Sequence, residues 1–155
     1  MPITVPDHDD WFDGSDGLPR PNWPDVNGWM RAFAGKAEQD DAWHQFVRHW
    51  IERLRRTLGG KYATAESENF HLLSEEPSSA RLKTLAFLEA TRGHIYRVLG
   101  DVASPDAAGK HCVLRFGAAD DYYKYISHFY PDGEFASSAG IFLIDGYYHV
   151  AHLAS

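Results

Sequence analysis

Cysteine is nearly absent. Cys112 stands alone among 155 residues, so no internal disulfide forms and no cysteine-based zinc site is available. Positive charge is also short, with 15 Lys and Arg against 22 Asp and Glu and a net charge of −7. That balance argues against nucleic acid or an anionic membrane as the main partner. No apolar run approaches the ~20 residues of a membrane span. The opening MPITVPDHDD lacks the basic and apolar regions of a secretory leader, so a soluble, cytoplasmic protein is expected. G-x-S-x-G, the P-loop, G-x-G-x-x-G and H-E-x-x-H are all missing. Nucleophile elbow, phosphate cradle, dinucleotide fingerprint and zinc helix are therefore not on offer, and no cofactor is expected.

What the chain does have is enough apolar residue for one domain with a core of useful size, 44% of the total. Its charge is uneven. Residues 1–41 hold nine acids against three bases, nearly the whole imbalance. Pro2, Pro6, Pro19, Pro21 and Pro24, with Gly14 and Gly17, mark residues 1–28 as an irregular acidic arm. Trp11, Phe12, Leu18 and Trp23 could lie along the domain as an extended segment. Residues 29–155 read as a single α+β domain.

Trp43, Phe46, Val47, Trp50, Ile51, Leu54 and Leu58 recur at helical spacing and define the first main helix, capped by Asp40 or Asp41 and stopped at Gly59-Gly60. A shorter helical piece around Trp29 to Ala37 precedes it. Lys61 to Ser74 reads as one strand. Ala80 to Leu99 reads as the second main helix, with Leu82, Leu85, Leu88, Ile95 and Leu99 as its buried stripe. Strand Lys110–Phe116 puts Cys112, Leu114 and Phe116 on one face and His111, Val113 and Arg115 on the other. A short aromatic helix, Tyr122 to Phe129, follows. The chain closes on a hairpin, Ile141–Ile144 and Tyr147–Val150 about Asp145-Gly146, a strong hairpin dipeptide. The expected fold is α+β: a small mixed sheet of about four strands, two main helices mainly on one face, a parallel central pair and a C-terminal hairpin.

Several residues invite a chemical reading. His149 and His152 sit three apart on a strand, so they point to opposite faces and do not share a metal. His44 and His49 lie well apart around their helix. Asp9-x-x-x-Asp13-Gly14 echoes a calcium loop but lacks an Asp or Asn at the middle ligand position, and its twelfth position falls on Arg20, so the template fails. Cys112 reads as a buried, inert thiol. The aromatic cluster Tyr122, Tyr123, Tyr125, Phe129 and Tyr130 lacks a basic patch and so reads as core or interface. For a pocket between sheet and helices, the polar candidates are His71, His111, Arg115, Tyr147 and His149.

NFHLLSEE at 69–76, a long helix ending VLG at 98–100, HCVLRFGAADDYYKYIS at 111–127 and AGIFLIDGYYHVAH at 139–152 together resemble the front half of zincin metallopeptidases of the gluzincin-like type. The resemblance covers about half the chain. It implies that an antiparallel strand pair precedes a zinc-binding helix and that an edge strand receives extended peptide substrate. The H-E-x-x-H of that helix is missing, so neither zinc ligands nor a general base transfer to any residue here. The expectation is a reduced or truncated relative, without the catalytic half.

Three functions remain. The first is a non-catalytic binding or assembly module that takes a protein or peptide by strand pairing at the hairpin. The second is a small enzyme or ligand-binding domain using the five candidates above. The third is self-association through the hairpin edge or residues 122–130.

Overall fold

A computed structural model describes residues 3–102, 109–133, 137–145 and 147–154. Two short paired strands, β1 (Phe12–Asp13) and β2 (Arg20–Pro21), lie in the acidic segment, which is therefore ordered. Helix α1 (Trp23–Met30) follows, with Pro24 in its first turn. There the fixed φ of proline suits a helix and its missing N–H costs nothing. The segment expected to be irregular up to residue 28 thus becomes helical at Trp23. The long helix α2 (Lys36–Leu58) starts one turn earlier than the Asp40 cap suggested, and ends at Gly59 with φ +98°, a conformation glycine adopts without strain.

The stretch expected as one strand, 61–74, is two: β3 (Ala63–Glu66) and β4 (Phe70–Ser74), antiparallel. Glu89 ties their turn, accepting from Ser67 Oγ and from the Asn69 backbone and side-chain nitrogens at 2.6–2.8 Å. Glu89 lies on helix α3 (Ser78–Leu99), which connects β4 to the parallel strand β5 (His111–Phe116). Helix α4 (Ala119–Ser127), β6 (Gly140–Asp145) and β7 (Tyr147–Leu153) complete the fold. The sheet runs β3-β4-β5-β7-β6. Its three inner strands are mutually parallel, and each edge strand is antiparallel to its neighbour. The α+β class is as expected, with five strands in place of four.

The helices do not gather on one face. His71, Leu73, Cys112, Leu114, Phe116, Leu143, Tyr147, His149 and Ala151 alternate onto a face where most of the core lies, with α1, α2 and α4 contributing Trp23, Phe46, Trp50, Tyr122 and Tyr125. Among the described helices only α3 lies on the opposite face, where Leu85 meets Phe70 and Leu72. The acidic segment closes the main core. Phe12 stacks on Phe46, and Arg53 binds Asp7 at 2.8 Å and Asp9 at 2.7 Å. Buried Arg20 joins it to α4, donating to Asp16 and to the carbonyls of Lys124 and Tyr125.

The expected buried stripe of α3 is a correction. Leu85 alone is buried on that helix; Leu82, Ile95 and Leu99 are exposed. The periodicity is real, but α3 packs over β3 and β4 and leaves the stripe beyond them open.

Candidate functional site

The two edges of the sheet are built differently. β3 is four residues, ATAE, and its Glu66 binds Arg48 bidentately at 2.6 and 2.9 Å and Lys110 at 3.2 Å. Short length and bound charge are usual ways to blunt an edge. β6 is six residues, GIFLID, with no lysine, arginine or proline, and so spans ~20 Å. Leu143 points into the core, while Phe142 and Ile144 on the other face are 58% and 68% exposed. Phe142 stacks on Tyr148 of β7. Inward from this edge, a groove of about 800 Å³ runs between α3 and the open face of β5, β7 and β6. Phe87 and Ile95 form one wall, and Val150, Phe142 and Tyr148 lie across from them.

The five polar candidates divide between the faces. His111 and Arg115 share the α3 face and both border the groove. Arg115 is held by Glu76 at 2.6 Å, and the His111 ring sits 5.2 Å from that of Phe70. Burial, then the charge of Arg92, lowers the His111 pKa. His71, Tyr147 and His149 lie on the core face. Tyr147 stacks against both Trp23 and Trp43, ring centroids 5.7 and 5.2 Å away, and its hydroxyl donates to the Lys110 carbonyl. Burial raises its pKa. His149 Nε2 is 2.8 Å from the Tyr125 hydroxyl, and its Nδ1 faces the Tyr147 carbonyl at 3.4 Å. A carbonyl only accepts, so the proton sits on Nδ1 and Nε2 accepts from Tyr125. Burial holds the His149 pKa down to about 4.

His71 is buried beside Glu66, with Nδ1 3.3 Å from the carboxylate. Its Nε2 has no hydrogen-bond partner among the described residues. Burial outweighs the nearby carboxylate and lowers its pKa to about 4. The Arg48 hydrogen bond, with help from Lys110, takes Glu66 down to about 2. His71 is therefore neutral and Glu66 ionised at pH 7.

Family models, curated proteins and solved structures return no match to this chain.

The donors present do not fit the zinc ion that the zincin resemblance implies. No group of three or more His, Cys, Asp or Glu is placed to hold a metal among the described residues. The His44 and His71 rings are 6.2 Å apart, but Arg48 and Lys110 supply the local charge. Cys112 is fully buried, and burial raises its pKa, which makes it a poor nucleophile. His149 and His152 fall on opposite faces as their spacing requires. Tyr125 and Glu66 were missed as polar partners by sequence reasoning. Tyr125 meets His149 across 24 residues, with no local signal. Glu66 had one: five residues before His71 in a strand–turn–strand it faces that histidine, as the register Glu66↔His71 shows.

Proposed function

We propose that the chain is a non-catalytic binding module, built like the substrate-strand half of a zincin-type metallopeptidase, that accepts an extended protein or peptide segment as an added strand on β6. The carrying observation is the contrast between the two edges: β3 is four residues and carries Glu66, whereas β6 is longer and apolar from Ile141 to Ile144, its one charge being Asp145 at its end. Parallel inner strands with an antiparallel edge fit the arrangement that the resemblance implies. In such pairing the main chain of the guest supplies hydrogen bonds to the edge, and side-chain pockets supply selectivity. Phe142 and Ile144 are the exposed side chains that read the guest. The module is non-catalytic by itself because no H-E-x-x-H supplies ligands and base.

The test is selection of displayed random peptides of about a dozen residues, long enough to span the strand. Enriched peptides should bind the protein and lose at least about tenfold in affinity against Ile144→Lys, an exposed position that tolerates charge. Equal binding to that variant refutes the edge. Incubation with zinc and casein should give no chelator-sensitive cleavage, and cleavage would refute the non-catalytic part.

A further inference from the structure

The groove beside α3 carries a second binding property, adjoining the β6 edge and sharing Phe142 with it. Helix α3 holds Arg81, Lys83, Arg92 and Arg97 and a single acid, Glu89, in a chain of net charge −7. Glu89 is already engaged by Ser67 and Asn69. Among the described residues no Asp or Glu lines the groove, whereas Lys83, Arg92 and Arg115 do. Arg115 is matched by Glu76. Lys83 and Arg92 have no ion-pair partner among the described residues. Arg92 instead lies over the Tyr96 ring, 4.5 Å from its centroid, with its Nε buried and without a hydrogen-bond partner. Nine residues separate the two, which sets them ~13 Å apart along the axis and on opposite sides of the apolar stripe.

We infer that this groove docks an amphipathic helix of a partner protein, its apolar stripe seated on Phe87, Ile95, Phe142 and Val150 and its flanks carrying acidic side chains toward Lys83 and Arg92. Three observations select this occupant. The apolar surface continues past the groove to Leu82, Val98, Leu99 and Ile144, more than a small ligand covers, and small-ligand sites enclose most of their guest. A helix about 10 Å across would lie beside α3 and complete the helical layer over β7 and β6. A second copy pairing through the same face would set Lys83 and Arg92 against their own counterparts, and like charges juxtaposed at an interface oppose binding.

The probes are two fluorescein-labelled helical peptides of about 18 residues, some 27 Å long, with the same Leu/Ala stripe and either Glu or Lys flanks. The Glu peptide should bind at least about tenfold tighter than the Lys peptide, and lose that margin in high salt. Lys83→Glu, at an exposed site, should reduce or reverse the preference, and Phe87→Asp should weaken both peptides. Phe87→Asp, on α3 and away from β6, should leave the affinity of the selected strand peptides unchanged, which separates this surface from the strand-pairing edge. Equal or tighter binding of the Lys peptide overturns the inference. So does displacement of neither peptide by the other while dodecanoate saturates the groove, or sedimentation as a dimer that Phe87→Asp dissociates and the Glu peptide does not.

Discussion

The two faces of the sheet are made by the same strands in alternation, and they are finished differently. On the core face, α1, α2 and α4 bring Trp23, Phe46, Trp50 and Tyr125 down onto Cys112, Leu114, His149 and Ala151, and all of these are buried. On the other face α3 seals Phe70 and Leu72 with Leu85, then leaves Phe142, Ile144 and Tyr148 exposed. A sheet meant to face water on one side alternates apolar with polar. β6 does not: Ile141, Phe142, Leu143 and Ile144 are apolar on both faces. That is the pattern of a strand covered on both sides. The open face thus departs from a water-facing sheet in composition as well as in shape.

The largest expected difference between the two faces is in stability. Trp50→Ala opens a cavity in the fully buried core and should cost about 3–5 kcal/mol in urea unfolding. Phe87→Ala, at a side chain 68% exposed, should stay within about 0.5 kcal/mol. Similar losses for the two would mean that the faces are not distinct. Next, Tyr125→Phe leaves His149 Nε2 buried without its donor and should cost about 1–3 kcal/mol. A loss near zero would mean that the pair is not hydrogen-bonded as described.

Acid titration probes the core face in a different way. His71 and His149 are held neutral, with pKa values of about 4 against the usual 6.5. Below pH 6.5 the unfolded chain binds more protons than the folded one, so stability should be flat above pH 6.5 and fall as pH drops toward 4. His149→Gln should shallow that fall.

Much of this architecture could be read from residues. The α2 stripe from Trp43 to Leu54, the alternation of β5 and the hairpin of β6 and β7 follow directly from periodicity. The turn at Ser67–Asn69 escaped because it has neither glycine nor proline and is held from a distance by Glu89. α1 escaped because Pro24 signals a break in sequence and a first turn in structure. The stripe of α3 was visible, but periodicity does not say whether anything covers a stripe. The candidate site was legible only in pairs: His111 with Arg115, and Tyr147 with His149, share a face by parity within one strand. Which pairs meet depends on strand register and on helices far away in sequence, and these divide the five residues between the faces.

The most direct measurement is amide hydrogen exchange of the two edge strands with and without a selected peptide. Strand addition predicts slowed exchange at alternate amides of β6, those pointing away from β7, with β3 unchanged. Protection on β3, or no change on β6 when the peptide is bound, would contradict it.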